Sequence, residues 1–189
     1  MPASILRTKP DIRFEGHAIV SADGMIADAQ GSMPQALRND ADWQAFQAAL
    51  DRAALVVLGR LGHERHPNPG RRRLVLTRSI SLLQPDPRDA LALLWNPVAW
   101  PLSRVLDALE VAQGTIAITG GTGVFDLFLD HYDSFVLSEA HDCVLPGGRP
   151  CFSAGHPRTV LAASGLVPHG TELIDAATGV TTTRWLRAA

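Results

Sequence analysis

The sequence predicts an α/β fold in three layers: a central mixed, mostly parallel sheet, helices on its faces, and a C-terminal antiparallel hairpin. Three observations carry this. Short apolar runs rich in β-branched residues alternate with helical patterns along the chain. Those runs are continuous rather than alternating, as expected of strands buried on both faces. The tail holds two strand-like runs about a glycine turn. With 189 residues the chain can bury about two-thirds of its unfolded surface, and a single domain over 1–189 is the simplest division.

Taken in order, Ile12 to Val20 reads as the first strand, with Phe14, His17, Ile19 and Val20 in imperfect alternation. Asp23-Gly24 marks a turn. Met25 to Arg38 has no periodicity and reads as a long loop, a length that usually serves function in compact domains. Asn39 is a good N-cap; Asp40 and Asp42 favour the positive helix start, and Trp43, Phe46 and Leu50 recur on one helix face. Ala54 to Leu58, closed by Gly59, is a buried strand, and Leu74 to Thr77 repeats the type after a Pro-Asn-Pro-Gly loop. Ala90 to Leu94 reads equally as strand or helix. Pro101 opens a helix whose stripe is Val105, Leu106, Leu109 and Val111. Thr115 to Thr119 is a strand running into Gly120-Gly121-Thr122-Gly123, followed by a helix from Val124 to Asp130. Ser134 to Ser138 is a strand, Pro146-Gly147-Gly148 a loop, and Glu172–Asp175 with Val180–Leu186 the hairpin about Ala177-Thr178-Gly179.

A hydrophobic share of 46% with 19% charged residues is that of an ordinary globule. The net charge of −2 gives no footprint for nucleic acid or an anionic membrane. Arg71, Arg72 and Arg73 form the only basic run, long enough for one anionic group at most. No stretch approaches the ~20 apolar residues of a bilayer span, and MPASILRTKPDIRF lacks the apolar core of a leader. Cys143 and Cys151 form neither a disulfide framework nor a zinc knuckle, so a reducing cytoplasm is the expected compartment. His63 and His66 have helical spacing, but a metal needs a third ligand and none is nearby in sequence.

The sharpest local feature is the strand–GGTG–helix unit in ITGGTGVFDLFL. Glycines at a strand end let backbone N–H groups approach a phosphate, and the next helix adds its positive end. The spacing is neither the Rossmann G-x-G-x-x-G nor a Walker loop, and a tight turn that simply needs glycine is the competing explanation. Two arginines, Arg60 in VVLGR and Arg78 in LVLTRS, directly follow strands. Ligands of open α/β sheets gather outside the carboxyl ends of the strands, and a guanidinium fork suits the extra phosphate of NADPH. Taken singly, each is equally an ordinary solvated arginine.

Together, GHAIVSADGMIAD, VVLGR, RRRLVLTRS, TIAITGGTGVF and FVLSEAHDCVLPGGRPCF resemble, in that order, the dihydrofolate-reductase-like proteins. They are particularly similar to the reductase domain of the riboflavin-biosynthesis deaminase–reductases. The resemblance spans roughly Ile12 to Phe152 and implies NADPH across the carboxyl edge of the sheet. It places Gly59 and Arg60 by the adenosine phosphates and Thr77, Arg78 and Ser79 around the ribose and its 2′-phosphate. Thr119, Gly120, Gly121, Thr122, Gly123 and Val124 would line the diphosphate, with the Gly120–Gly121 bond cis. Ala18, Ile19 and Ile26 would border the nicotinamide. The chain departs from the pattern at Gly62, where the family usually carries a hydroxyl residue. The zinc signature of a deaminase is absent, so a stand-alone reductase is expected.

The same resemblance suggests the acid and the anchors. Asp42 precedes Phe46 in DWQAF as the dihydrofolate-reductase carboxylate precedes a pocket phenylalanine; it is also a standard stabiliser of a first helical turn. Arg71 in PNPGRRR resembles the arginine that holds the folate carboxylate, and in a riboflavin-type enzyme would meet a ribose phosphate. Expected substrates are therefore a ribosylaminopyrimidine first, dihydrofolate second, and a non-catalytic nucleotide-binding module third. The expected partner is a small molecule, with a homodimer the commoner state of the riboflavin-type branch.

Overall fold

Strands form wherever the sequence offers a short β-branched run, and the computed structural model describes them within residues 11–66 and 68–188. The first ten residues, on which the reading about a leader largely rests, lie outside the described ones. In chain order come β1 (Ile12–Ser21), β2 (Met25–Ala27), α1 (Asp40–Arg52), β3 (Leu55–Gly59), α2 (Arg60–Arg65) and β4 (Arg73–Leu76). Then follow β5 (Leu83–Asp86), β6 (Asp89–Trp95), α3 (Leu102–Ala108), β7 (Gly114–Ile118) and α4 (Thr122–Leu127). The chain closes with β8 (Ser134–Ala140), β9 (Arg149–Pro150), α5 (Pro157–Ala163), β10 (Leu166–Asp175) and β11 (Val180–Arg187).

Nine strands make one sheet in the order β10-β11-β8-β1-β7-β3-β4-β6-β5. The inner strands from β8 to β6 pair in parallel; β5, β10 and β11 add antiparallel edges. Parallel pairing puts the carboxyl ends of β1, β3, β4 and β7 on one side, which is where a ligand site of this architecture forms. β2 and β9 make a separate two-stranded ribbon.

The sheet is covered on both faces, as its continuous apolar strands require. On one face Phe14, Val57, Leu74 and Ile116 pack with Val105 and Leu106 of α3, Phe125 of α4 and Leu161 of α5. On the other, Val56, Leu58, Val75 and Ala117 pack with Leu50 and Phe46 of α1. Each large side chain so buried contributes about 1.5–3 kcal/mol. Close packing explains Gly16: a Cβ there would lie 2.2 Å from the Phe135 ring, so only glycine lets that ring lie against β1.

Differences from expectation are local. Ala90 to Leu94, equally strand or helix by pattern, lies within β6. The loop from Met25 to Arg38 contains β2 and a 3-10 turn at Gln35–Leu37. α4 starts at Thr122, two residues before the expected Val124, so the glycine turn is itself the helix entry. The hairpin begins at Leu166 rather than Glu172, and α2, β5, β9 and α5 are additional. The α1 stripe is graded: Leu50 is buried, Phe46 half-buried, and Trp43 is 55% exposed. No helix of the described residues is long and apolar enough to cross a membrane.

Candidate active site

Three strand ends meet the glycine turn. The Thr119 N–H donates to Val57 O at 2.9 Å and the Gly59 N–H to Gly120 O at 2.9 Å, tying the β7 exit to the β3 exit. Gly59 pairs with Leu76, so Thr77 lies one residue past the same edge. The Gly120–Gly121 bond is cis, as the resemblance implied, and Gly120 has φ +101°. A Cβ at Gly120 would stand 2.7 Å from the buried Phe125 ring, whereas one at Gly123 would meet nothing within 4 Å. At Gly121 its one neighbour within that range would be Ile26 Cδ1, at 3.9 Å. The turn therefore has a tightly packed inner side and an open outer side. The first N–H groups of α4 have no carbonyl one turn earlier to bond, which is what a phosphate cradle needs.

The loop after β1 is held over this turn. Thr122 Oγ1 donates to Pro150 O at 2.5 Å, and β9, which contains Pro150, pairs with the β2 segment that carries Ile26. Asp23 accepts from the Leu145 N–H at 3.0 Å, and Arg65 of α2 donates to the Gly31 carbonyl. Thr122 thus uses its hydroxyl proton within the protein.

The two candidate phosphate arginines differ. Arg60 opens α2 and is bound to Glu64, with Nη1 at 2.9 and 3.0 Å from its two oxygens. Arg78 is exposed, on a tight turn in which Thr77 Oγ1 contacts Ser79 Oγ at 2.8 Å and accepts from the Ser79 N–H at 3.2 Å. A Cβ at Gly62 would lie 3.8 Å from Leu58 Cδ1, and the glycine offers no hydroxyl. His63, weighed as half of a metal pair, instead bonds Asp86 at 2.9 Å.

Asp42 sits in the first turn of α1. Asn39 Oδ1 accepts from the Asp42 N–H at 3.0 Å, and Asn39 Nδ2 donates to Asp175 at 2.8 Å, which ties the helix start to the C-terminal hairpin. Burial raises the Asp42 carboxyl above the ordinary carboxylate range, opposed by the Ser138 hydroxyl and by the charge of His17. Ser138 in turn contacts Thr182 at 2.6 Å. One turn along, the Phe46 ring packs on His17 and on Trp43, with centroids at 5.8 and 5.9 Å. Ala18 and Ile19 follow His17 on β1. The result is a half-buried acid beside an aromatic wall.

Arg71 lies along the outer side of the same helix. Its guanidinium bonds Asp51 at 2.6 and 3.0 Å, Asn68 at 2.9 Å and Gln47 O at 3.4 Å. It packs against α1, the helix that carries Asp42 and Phe46, through Gln47 and Asp51, and its charge is already matched by Asp51. His17 and Ser138 escaped the reading of the sequence as site residues. The signal was a polar residue at an inward position of an otherwise apolar strand, which is uninformative until the neighbouring strand is known.

No protein-family model and no curated protein sequence matches the chain. Solved structures do. A protein from Shewanella sp. PV-4 assigned to riboflavin biosynthesis is similar with TM-score 0.68 and 20% identity over 94% of this chain and 99% of that one. A diaminohydroxyphosphoribosylaminopyrimidine deaminase/5-amino-6-(5-phosphoribosylamino)uracil reductase from Thermotoga maritima is similar with TM-score 0.71 and 16% identity. That match covers 96% of this chain but 58% of the other, so the chain spans little over half of it. A dihydrofolate reductase from Enterococcus faecalis, complexed with NADP(H) and RAB-propyl, is similar with TM-score 0.67 and 18% identity over 94% and 97% of the two chains.

Proposed function

Because the chain has the dihydrofolate-reductase-like fold, we propose that it is an NADPH-dependent reductase that transfers hydride to a C=N-type bond of a pyrimidine- or pterin-derived substrate. The observation that carries the proposal is the meeting of an open-sided glycine turn with the ends of β3 and β4. NADPH, when bound, supplies the hydride. Gly121, Thr122 and Gly123 would hold its diphosphate through backbone N–H groups, with Val124, whose N–H bonds Gly121 O, lining the same turn and Gly59 close by. Thr77, Arg78 and Ser79 would hold the 2′-phosphate, Arg60 joining after leaving Glu64. Ala18, Ile19 and Ile26 would border the nicotinamide. Phe46 stacks the substrate ring, and Asp42 delivers a proton to the nitrogen as the adjacent carbon receives hydride. An acid with a raised pKa suits that task near neutral pH.

A ribosylaminopyrimidine of the riboflavin pathway is the first substrate class, from the sequence blocks that resemble the riboflavin-type reductases. Dihydrofolate is the second, favoured by Arg71 bonding Gln47 O and Asp51 of the helix that carries Asp42 and Phe46. The loss of nicotinamide absorbance, followed with each substrate in turn, decides between them. Turnover of the phosphorylated pyrimidine without turnover of dihydrofolate is expected; turnover of neither, with NADPH bound, removes the enzyme reading.

Arg78 carries a quantitative expectation. A charge-assisted hydrogen bond is worth about 1.5–3 kcal/mol, so Arg78→Ala weakens NADPH binding about 10- to 100-fold. NADH binding, measured in the same fluorescence titration, stays nearly unchanged. Equal weakening of both removes Arg78 from the 2′-phosphate site.

A further inference from the structure

Helix α2 spans six residues, too few to hold itself together, and carries Gly62, a weak helix former, at its third position. Its Gly59 N-cap offers no side chain to the first turn. None of its residues is buried, and Leu61, its one large apolar residue, is 40% exposed. Apolar burial therefore does little to fix α2, and polar contacts take its place. The side chain of His63 is 9% exposed and sets Nε2 2.9 Å from Asp86 Oδ2, at the end of β5. His63 Nδ1 is buried with no partner among the described residues, so the bond to Asp86 is what orients the ring. The Asp86 side chain is 1% exposed and is itself pinned by the Arg88 N–H at 2.9 Å. On the other flank of the helix, Arg65 donates to the Gly31 carbonyl.

We propose that the His63–Asp86 hydrogen bond anchors α2, and that His63 is thereby a positioning residue for Arg60 and for the preference of the site for NADPH over NADH. Residues three and four apart share a helix face, so Arg60, His63 and Glu64 lie on one flank. Arg60 Nη1 bonds the two Glu64 oxygens along that flank, at 2.9 and 3.0 Å. Tying the His63 ring to β5 sets how this flank is turned about the helix axis. In the sheet β3 is followed by β4, β6 and β5, and the chain passes from β4 to β5 through the turn at Thr77, Arg78 and Ser79. The anchored flank therefore faces the side of the sheet that carries Arg78. Once Arg60 leaves Glu64, it meets the 2′-phosphate from a direction the anchor has already fixed. His63 acts through Arg60 rather than on the cofactor. The consequence for NADPH rests on the reductase reading; the anchoring does not.

Amide hydrogen exchange in the ligand-free protein tests the anchor. The His66 N–H bonds Gly62 O at 2.9 Å and closes the last turn of α2. Its exchange reports local opening of the helix, which a change in global stability leaves unmoved. In His63→Leu this amide exchanges about tenfold faster, as the loss of one charge-assisted bond requires. His63→Gln keeps a side-chain N–H for Asp86 and restores the wild-type rate. Should the leucine variant not fold, His63→Met carries the same expectation. Cofactor titration tests the consequence. His63→Leu weakens NADPH binding about tenfold, the worth of one charge-assisted contact, and leaves NADH nearly unchanged. In an Arg60→Ala background it adds nothing, because the two residues act through one contact. Unchanged His66 exchange in His63→Leu, equal weakening of the two cofactors, or the full loss on top of Arg60→Ala overturns the proposal. If the wild-type protein binds no NADPH, the reductase reading ends and the exchange result alone decides the anchor.

Discussion

Asp42→Asn abolishes turnover while NADPH binds as before. Positioned acids contribute about 10²- to 10⁴-fold, which is about 2.7–5.5 kcal/mol of barrier. The amide keeps the size of the side chain and leaves the Asp42 N–H to Asn39 intact, but it has no proton to give. Fold stability offers no competing explanation. Burial raises the Asp42 carboxyl in the folded protein. Its favourable contribution is therefore complete below the unfolded pKa and lost as pH rises through the folded one. At neutral pH the ionised form is the costly one, and a neutral amide removes that cost. The same shift fixes the wild-type profile: turnover falls as pH rises through the raised Asp42 pKa, and the fall is absent from the residual rate of Asp42→Asn. Retention of full activity by the variant takes Asp42 out of the mechanism.

Gly120→Ala has the largest expected effect on the fold around the site. At φ +101° an added methyl is strained, and it would sit 2.7 and 2.9 Å from two carbons of the Phe125 ring, which is itself buried. Overpacking and backbone strain each cost about 1–3 kcal/mol, and a total near 3 kcal/mol lowers Tm by roughly 10 °C in a chain of this size. NADPH binding at a temperature where the variant stays folded falls at least tenfold, since the β7–α4 turn cannot keep its shape. Gly123→Ala is the matched control. Its methyl would meet nothing within 4 Å, and it lies in the first turn of α4. Stability is unchanged or raised by about 0.5–1 kcal/mol, yet NADPH binding falls because the methyl fills the open side of the turn. Unchanged NADPH affinity in both variants means that the turn is only a packing device.

What the sequence made legible divides along physical lines. Strands buried on both faces announce themselves as unbroken apolar runs, so β3, β4 and β7 lie within one residue of the runs Ala54–Leu58, Leu74–Thr77 and Thr115–Thr119. Edge elements carry no such signature. β5 contains Gln84 and Pro85, and β10 is exposed from Val167 to Leu173 with Pro168 and Gly170 inside it. Both are tolerated because one side of an edge strand is unpaired. α5 is a single short segment whose signal was Pro157 in its first turn, capped by His156. At the candidate site, the glycine turn was legible because its conformation is chemically restrictive. Asp42 was legible as a helix-start residue but not as a buried acid. Its environment comes from Ser138 and His17, on strands 96 and 25 positions away in sequence, and only the β1–β8 pairing brings them together. Arg71 read as a free cation, and the structure places Asp51 on its guanidinium.

The central claim is that the glycine turn and the strand ends beside it form an NADPH site. Titration of the intact protein with NADPH and with NADH, followed by nicotinamide fluorescence, tests it most directly. Saturable NADPH binding at least tenfold tighter than NADH is the predicted result. No saturable binding, or equal affinity for the two, contradicts the account.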